Sequence, residues 1–227
     1  MQYGECLHSI GSFKGSMFPQ SIGLSASFDV DLVRRVGEAI GAEARSIGIH
    51  ACLSPVLDLG LEPRWGRVQE AWGEDMLLTS HMGVAMSRGL SRDGNWSRSD
   101  SVVPVVKHFA AHGSPQGGIN GAPTVVLGRR QVMQMMLRPF KAVLDLGGAR
   151  GVMMAYSELD GIPSHVDPFL YRQLEEWEFD GFVTADDTGM AMLEGRHGVA
   201  GNPAEAIAQW LNAGMLFTCW NTIVERR

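Results

Sequence analysis

Short apolar runs alternate with helix-like segments along the chain. The first helix-like segment places apolar residues at every fourth position: Leu32, Val36, Ile40 and Ala44. This spacing predicts a helix that begins at Asp29, a residue type that caps helix N-termini, and runs to about Ser46. Gly48 follows where a helix is expected to end.

The same reading predicts five strands, over residues 51–57, 102–106, 151–156, 182–185 and 215–220. Further helices are predicted over residues 75–90, 129–145, 168–177 and 203–212. Such alternation is typical of parallel strands covered by helices, which is the α/β class. Both an open doubly wound sheet and a (β/α)8 TIM-type barrel fit this order of elements.

Polar residues follow the predicted strand ends, at Asp58, Lys107–His108, Tyr156 and Asp186–Asp187. Ligands bind at the carboxyl ends of the strands in both architectures. A barrel gathers residues from several strands around one axis, so this distribution favours the barrel. Because a full barrel takes about 250 residues, five strands in 227 residues predict an incomplete barrel, with residues 1–227 forming one partial domain.

Composition, charge and cysteine spacing argue against several classes of partner and site. The net charge of −6 gives no basic face for nucleic acid, and no apolar run reaches the ~18 residues of a membrane span. Cys6, Cys52 and Cys219 are odd in number and far apart, which predicts neither a disulfide framework nor a zinc site. The histidines show no metal-ligand spacing, and no phosphate-binding loop occurs. We therefore expect no metal and no cofactor.

Two pairs of adjacent residues carry candidate chemistry. Lys107 and His108 together suit the binding of vicinal sugar hydroxyls or of a phosphate; alternatively, they are a surface lysine beside a structural histidine. Asp186 follows an apolar strand, so its carboxylate is a candidate nucleophile, metal ligand or base. The alternative is a turn-capping aspartate, and a capping Asp187 is compatible with a functional Asp186.

The segment Pro63–Arg67 places two arginines around Trp and Gly in a long loop. An arginine suits bidentate recognition of hydroxyls or carboxylates. The alternative is an ion pair within the loop, with Glu70, Glu74 or Asp75. We expect one arginine to be structural and one to reach the site. Glu5, near His8, is by itself a weak signal.

Together these segments resemble the N-terminal barrel domain of glycoside hydrolase family 3, the β-glucosidase and β-xylosidase family. The resemblance covers nearly the whole chain and includes Gly4–His8, Phe18–Leu24, Ser54–Leu59, Pro63–Arg67, Gly73–Asp75, Lys107–Gly113, Ala155–Tyr156 and Gly181–Asp187. The order of the PRWGR, KHFAAHG and GFV-x-x-D stretches makes a chance match very improbable.

The resemblance implies roles for single residues. Asp186 matches the catalytic nucleophile, although Ala185 replaces the usual Ser before it. Five positions match substrate-binding residues of the family: Glu5, Arg67, Lys107, His108 and Tyr156. Ser9 replaces a glycine that usually follows the Leu-His pair. The implied reaction is retaining hydrolysis of terminal β-glucosides or β-xylosides.

The implied general acid/base is a glutamate on a following α/β domain, which these residues do not include. A histidine loop serves in the hexosaminidase branch, but Ser114–Thr124 contains neither Asp nor His. We therefore expect a truncated piece that needs a missing domain or a partner chain. The alternative is a carbohydrate-binding or structural remnant without turnover. The residues leave open the choice between glucoside and xyloside, and the compartment.

Overall fold

The computed structural model describes residues 1–11 and 14–214. Its strands are β1 (Tyr3–Gly4), β2 (Ala51–Cys52), β3 (Val103–Phe109), β4 (Thr124–Val125), β5 (Gly151–Met154), β6 (Glu158–Leu159), β7 (Ile162–Pro163) and β8 (Phe182–Thr184). Its α-helices are α1 (Ser21–Ser25), α2 (Val30–Ser46), α3 (Met76–Ser91), α4 (Arg129–Gln131), α5 (Arg138–Leu146), α6 (Pro168–Glu176), α7 (Gly189–Gly195) and α8 (Pro203–Asn212). The predicted strand over 215–220 lies outside the described residues.

The main sheet contains five parallel strands in the order β1-β2-β3-β5-β8. Helices α2, α3, α5 and α6 lie in the connections between successive strands of this sheet. The α/β class is thereby confirmed. Spatial order follows chain order without the reversal of a doubly wound sheet, as in a barrel. Closure of a barrel, and the assignment of residues 1–227 to one partial domain, stay predictions.

The two faces of the sheet carry different residues. Ala51, Val105 and Met153 form a small cluster on one face. Their chain neighbours, such as Cys52 and Val152, belong to the larger clusters under the helices. This alternation is the two-residue period of a strand, and it leaves both faces of the sheet apolar.

Strand β3 is longer than predicted, so Lys107 and His108 lie within it rather than after its end. Val106 pairs with Val152 and Phe109 pairs with Met154, so three steps along β3 oppose two along β5. The peptide bonds Lys107–His108 and Phe109–Ala110 are cis in this stretch. The register shift between Val106 and Phe109 is a bulge, and a bulge re-aims side chains, so two adjacent residues of one strand both face polar partners.

Two predicted elements are interrupted by proline. The predicted strand 51–57 is reduced to β2 and a single bridge between Val56 and Lys107, because Pro55 has no N–H for the ladder. The predicted helix 129–145 is divided by a π-helical turn, Val132–Met136, before α5. Pro139 cannot donate to the carbonyl four residues earlier, and this explains the break.

The prediction about the cysteines is wrong for one pair. Cys6 and Cys52 form a disulfide, with their Cα atoms 5.4 Å apart and a sequence separation of 46. Parallel pairing of Gly4 with Cys52 brings these two cysteines together. Sequence spacing does not reveal such a pair, because it depends on the register of two short strands.

A second, three-stranded sheet of order β4-β6-β7 was not predicted. Its two-residue strands are too short to produce a periodic pattern. Among the described residues, no helix is long and apolar enough to cross a membrane.

Candidate active site

The polar residues predicted at strand ends lie close together at the carboxyl edge of the main sheet. They come from the segment after β2, from β3, and from the segments after β5 and β8. In a parallel sheet these segments all open at one edge, which explains the meeting of residues distant in sequence.

Lys107 is paired with Glu5. Its Nζ atom lies 2.5 Å from Glu5 Oε2. The Lys107 side chain is 4% exposed, whereas that of Glu5 is 65% exposed. The structure thus brings the weak sequence candidate Glu5 to the rim of the cluster, where its exposed carboxylate pairs with the buried ammonium of Lys107.

His108 is completely buried and has polar partners on both ring nitrogens. Asp58 Oδ2 lies 2.7 Å from Nδ1, and it also accepts a hydrogen bond from the His108 backbone N–H at 3.1 Å. On the other side, Nε2 lies 3.0 Å from Arg67 Nη2 and 3.6 Å from Asp186 Oδ2. Burial lowers the pKa of His108 well below its ordinary value, and the charges of Arg67 and Lys107 lower it further. The imidazole is therefore neutral near pH 7.

The two arginines of Pro63–Arg67 have different environments, and Arg67 makes the alternative ion pair with Glu70 as well as reaching His108. Arg64 is 70% exposed and binds Glu62, whose pKa it lowers to about 2. Arg67 is 21% exposed and donates from Nε and Nη2 to the two carboxylate oxygens of Glu70, each at 2.8 Å. This fork fixes the guanidinium, so that Nη2 also reaches His108.

Asp186 is 13% exposed. Its Oδ1 accepts a hydrogen bond from the Asp187 backbone N–H at 2.7 Å, whereas Oδ2 has no hydrogen-bond partner among the described residues. Burial raises the pKa of Asp186; the Asp187 N–H and the charges of Lys107 and Arg67 oppose that rise. A held carboxylate with one free oxygen is chemically available to a bound electrophile.

Tyr156 contacts the turn that begins at Asp186. Its hydroxyl donates to the Asp187 carbonyl at 2.7 Å. Burial raises its pKa, and the nearby Asp186 carboxylate adds to the rise. The aromatic ring meets His112 edge-on, with centroids 5.6 Å apart. Tyr156 therefore holds the turn after Asp186 through its hydroxyl, which stays protonated.

The alternative role of Asp187 as a helix cap is not observed. Helix α7 has Thr188 at its N-cap position, without a side-chain hydrogen bond to the helix. The Asp186 carbonyl accepts from the Gly189 N–H at 2.9 Å, so the backbone closes this turn. Asp187 is exposed.

Two residues that sequence reasoning gave no role complete the cluster. His112 Nε2 lies 3.0 Å from Asn120 Oδ1, and the ring packs edge-on against Trp65 with centroids 5.3 Å apart. Burial lowers the pKa of His112 to about 3. Its place in the KHFAAHG stretch was visible in the sequence, but its contact with Asn120 was not.

The described residues contain no group of three or more His, Cys, Asp or Glu side chains arranged to hold a metal ion. What the cluster offers instead is a set of donors and acceptors around one carboxylate. Lys107 and Arg67 donate, His108 Nε2 accepts, and Asp186 Oδ2 is free. This set suits a neutral polyhydroxylated ligand.

Comparison with known proteins gives β-xylosidases and β-glucosidases among the relatives. A β-xylosidase of Formosa agariphila is 32% identical over 224 residues, which cover 95% of this chain and 31% of that protein. The periplasmic β-glucosidase of Salmonella typhimurium is 37% identical, over 88% of this chain and 26% of that protein. The chain thus spans about a third or less of the length of these relatives.

Solved structures agree with the sequence relatives. A β-glucosidase from Erythrobacter marinus superposes with a TM-score of 0.89 and 34% identity, covering 95% of this chain and 29% of that one. A β-glucosidase from Listeria innocua in complex with glucose superposes with a TM-score of 0.88 and 35% identity, covering 95% and 30%.

The sequence model of the glycosyl hydrolase family 3 N-terminal domain matches residues 4–224. The match includes every residue of the polar cluster at the carboxyl edge of the sheet. The chain therefore belongs to glycosyl hydrolase family 3, through the N-terminal domain of that family.

Proposed function

We propose that this chain forms the sugar-binding and nucleophile-bearing part of a retaining β-glycosidase acting on terminal β-glucosides or β-xylosides. The observation that carries the proposal is the free, largely buried Oδ2 of Asp186, surrounded by groups suited to hydroxyls. Family membership, and relatives named β-glucosidase and β-xylosidase, support the reaction class.

In the proposed first step, Asp186 Oδ2 attacks the anomeric carbon and the bond to the leaving oxygen breaks. A glycosyl ester of Asp186 forms, and the leaving group takes a proton from a general acid. Water then attacks the anomeric carbon from the face that the leaving group left, opposite the ester, and gives a proton to the same group, which now acts as a base. The bond between the anomeric carbon and Asp186 breaks, and the carboxylate is regenerated. Lys107, Arg67 and His108 hold ring hydroxyls, and their hydrogen bonds strengthen as the ring flattens in the transition state.

We place the general acid/base outside the polar cluster described above. Asp58 is fully buried against His108, and Glu5 is paired with Lys107. In the proposed enzyme this group belongs to a further domain or a partner chain. Loss of general acid catalysis costs about 10²–10⁴-fold, so these residues alone hydrolyse substrates with good leaving groups best.

The test is hydrolysis of aryl β-glucoside and aryl β-xyloside by the 227-residue chain and by Asp186→Ala. Aryl leaving groups depart with little acid assistance. We expect release that Asp186→Ala abolishes and that azide partly restores, with the azide product of inverted anomeric configuration. Asp187→Asn is the matched control, because that exposed carboxylate neighbours the nucleophile without the proposed role.

Equal hydrolysis by the unmodified chain and by Asp186→Ala contradicts the assignment of the nucleophile. Saturable binding of glucose or xylose without any release, by a chain that circular dichroism shows folded, favours the alternative of a carbohydrate-binding remnant.

A further inference from the structure

Asp58 is a buried carboxylate that the proposed reaction does not use directly. It follows Leu57, whose N–H donates to the carbonyl of Lys107 at 2.6 Å. This bond, together with the bridge between Val56 and Lys107, fixes the Asp58 segment beside β3. Asp58 is buried, and its Oδ2 atom is engaged by the His108 backbone N–H and lies 2.7 Å from Nδ1 of the same residue.

Both hydrogen bonds from His108 end on one oxygen of Asp58. Oδ2 accepts from the His108 backbone N–H and lies 2.7 Å from Nδ1, while Oδ1 has no partner among the described residues. Oδ2 is an acceptor whether or not Oδ1 carries a proton. Nδ1 must therefore carry the ring proton of the neutral imidazole.

The opposite side of the ring independently indicates the same tautomer. Arg67 Nη2 lies 3.0 Å from His108 Nε2. A guanidinium only donates hydrogen bonds, so Nε2 must offer a lone pair. Asp58 and Arg67, on different segments, thus select one state of a ring that lies between them.

The other tautomer has two unfavourable consequences. A proton on Nε2 meets the N–H of Arg67, which displaces the guanidinium. It is also directed to Asp186 Oδ2, 3.6 Å away, and a hydrogen bond there occupies the free oxygen.

We propose that Asp58 is a positioning residue that holds His108 as the Nδ1–H tautomer. Nε2 then accepts from Arg67 in the free site and from a sugar hydroxyl in the complex, and Asp186 Oδ2 stays free. The part of this inference that concerns sugar rests on the proposed function; the tautomer does not.

The first measurement is the ¹⁵N spectrum of histidine side chains in the 227-residue chain at neutral pH, with the His108 signals assigned by their loss in His108→Gln. We expect the pattern of a neutral ring protonated at Nδ1. A ring protonated at Nε2 overturns the proposal, whatever the activity. This measurement decides even if the variants below fail to fold.

The second measurement compares Asp58→Asn with Asp167→Asn. Asp167 is a similarly buried carboxylate that accepts from the Phe169 N–H and lies outside the polar cluster. We expect Asp58→Asn to give a mixed tautomer and to lower kcat/KM for the aryl glycoside roughly 10- to 100-fold, the loss expected for a weakened charge-assisted hydrogen bond. Asp167→Asn should leave both readouts unchanged.

If Asp58→Asn has the same tautomer and the same kcat/KM as Asp167→Asn, then Asp58 is only structural and the proposal is wrong. If the unmodified chain hydrolyses nothing, it needs the missing acid/base or is a remnant without turnover. The ¹⁵N spectra of the unmodified chain and Asp58→Asn then still decide whether Asp58 controls His108.

Discussion

The α2–α3 helix pair and the polar cluster at the carboxyl edge of the sheet are organised in opposite ways. The helices approach until their backbones touch: a Cβ atom added to Gly37 would lie 2.6 Å from the Met86 carbonyl oxygen. A Cβ on Gly89 would likewise meet the backbone of Arg34 and Glu38. The pair is held by apolar contact and by capped ends, at which Asp29 and Asp75 accept backbone hydrogen bonds.

In the polar cluster, by contrast, groups are buried with partners missing. Asp58 Oδ1, Asp186 Oδ2 and His112 Nδ1 have no hydrogen bond among the described residues. Burying such atoms unpaired costs free energy, typically about 1–3 kcal/mol each. Unpaired buried atoms also occur outside the cluster, for example Thr79 Oγ1 and His165 Nε2. The cluster differs in that its three unpaired atoms belong to residues gathered around one histidine, His108.

The largest expected effect is on the helix pair. Gly89→Ala inserts a methyl group against backbone atoms that cannot rotate away, and we expect the free energy of unfolding to fall by about 3 kcal/mol. Gly195→Ala is the matched control, since it adds the same methyl group at the end of α7 in open space. Urea denaturation measures both. A loss in Gly195→Ala as large as that in Gly89→Ala would remove the packing argument.

The next effect concerns the polar cluster and distinguishes Arg67, which belongs to it, from the exposed Arg64. Arg67→Ala removes the donor shared by Glu70 and His108, and we expect kcat/KM for an aryl β-glycoside to fall on the order of 100-fold. Arg64→Ala removes an exposed side chain bound to Glu62 and should leave kcat/KM unchanged. Equal losses in the two variants would contradict the placement of Arg67 in the site.

A buried histidine outside the polar cluster tests the effect of burial on stability alone. His165 lies outside the cluster, 1% exposed, and burial lowers its pKa to about 3 from an unfolded value near 6.5. Between these pH values the unfolded chain binds more protons, so stability falls as the pH falls. From pH 7 to pH 5 this amounts to about 2 kcal/mol.

We expect His165→Gln to lose less stability than the unmodified chain over that interval, measured by urea denaturation at both pH values. The buried His108 and His112 are present in both proteins and do not enter the difference. Parallel pH dependences would show that His165 is not the titrating group.

The smallest effect is at the helix ends. Asp29 caps α2 by accepting from the Leu32 N–H at 2.8 Å, and Asp75 caps α3 through the Leu78 N–H at 2.7 Å. Replacing either by alanine should cost about 1 kcal/mol of unfolding free energy. Hydrolysis should be unaffected under conditions in which the variant is fully folded. A lower kcat/KM under those conditions would show that the helix caps also affect the site.

Helix ends that depend on local residues are predictable from the sequence. Helix α8 begins and ends where predicted, because Asn202 and Pro203 are local start signals. Helix α2 ends at Ser46, before Gly48, for the same kind of local reason. By contrast, the division of the predicted helix 129–145 depends on one proline acting on a carbonyl four residues back.

Several members of the polar cluster were candidates in the sequence, but their contacts were not predictable, and His112 and Asn120 were given no role. Asp58, Lys107, His108, Tyr156 and Asp186 follow or interrupt apolar runs, and their order resembles one family. That Asp58 pairs with His108, or that Glu5 reaches Lys107 across 102 residues of sequence, depends on strand register. Register between strands of two residues leaves no periodic trace in a sequence.

The cross-link between Cys6 and Cys52 has a consequence for recognition as well as for folding. A closed loop of 46 residues lowers the conformational entropy of the unfolded chain, by about 4 kcal/mol in the chain-entropy account. The same bond anchors the residue next to Cys6, which is Glu5. The Glu5 carboxylate is thereby presented to Lys107 at a high effective concentration, although β1 itself contributes only two residues of backbone pairing.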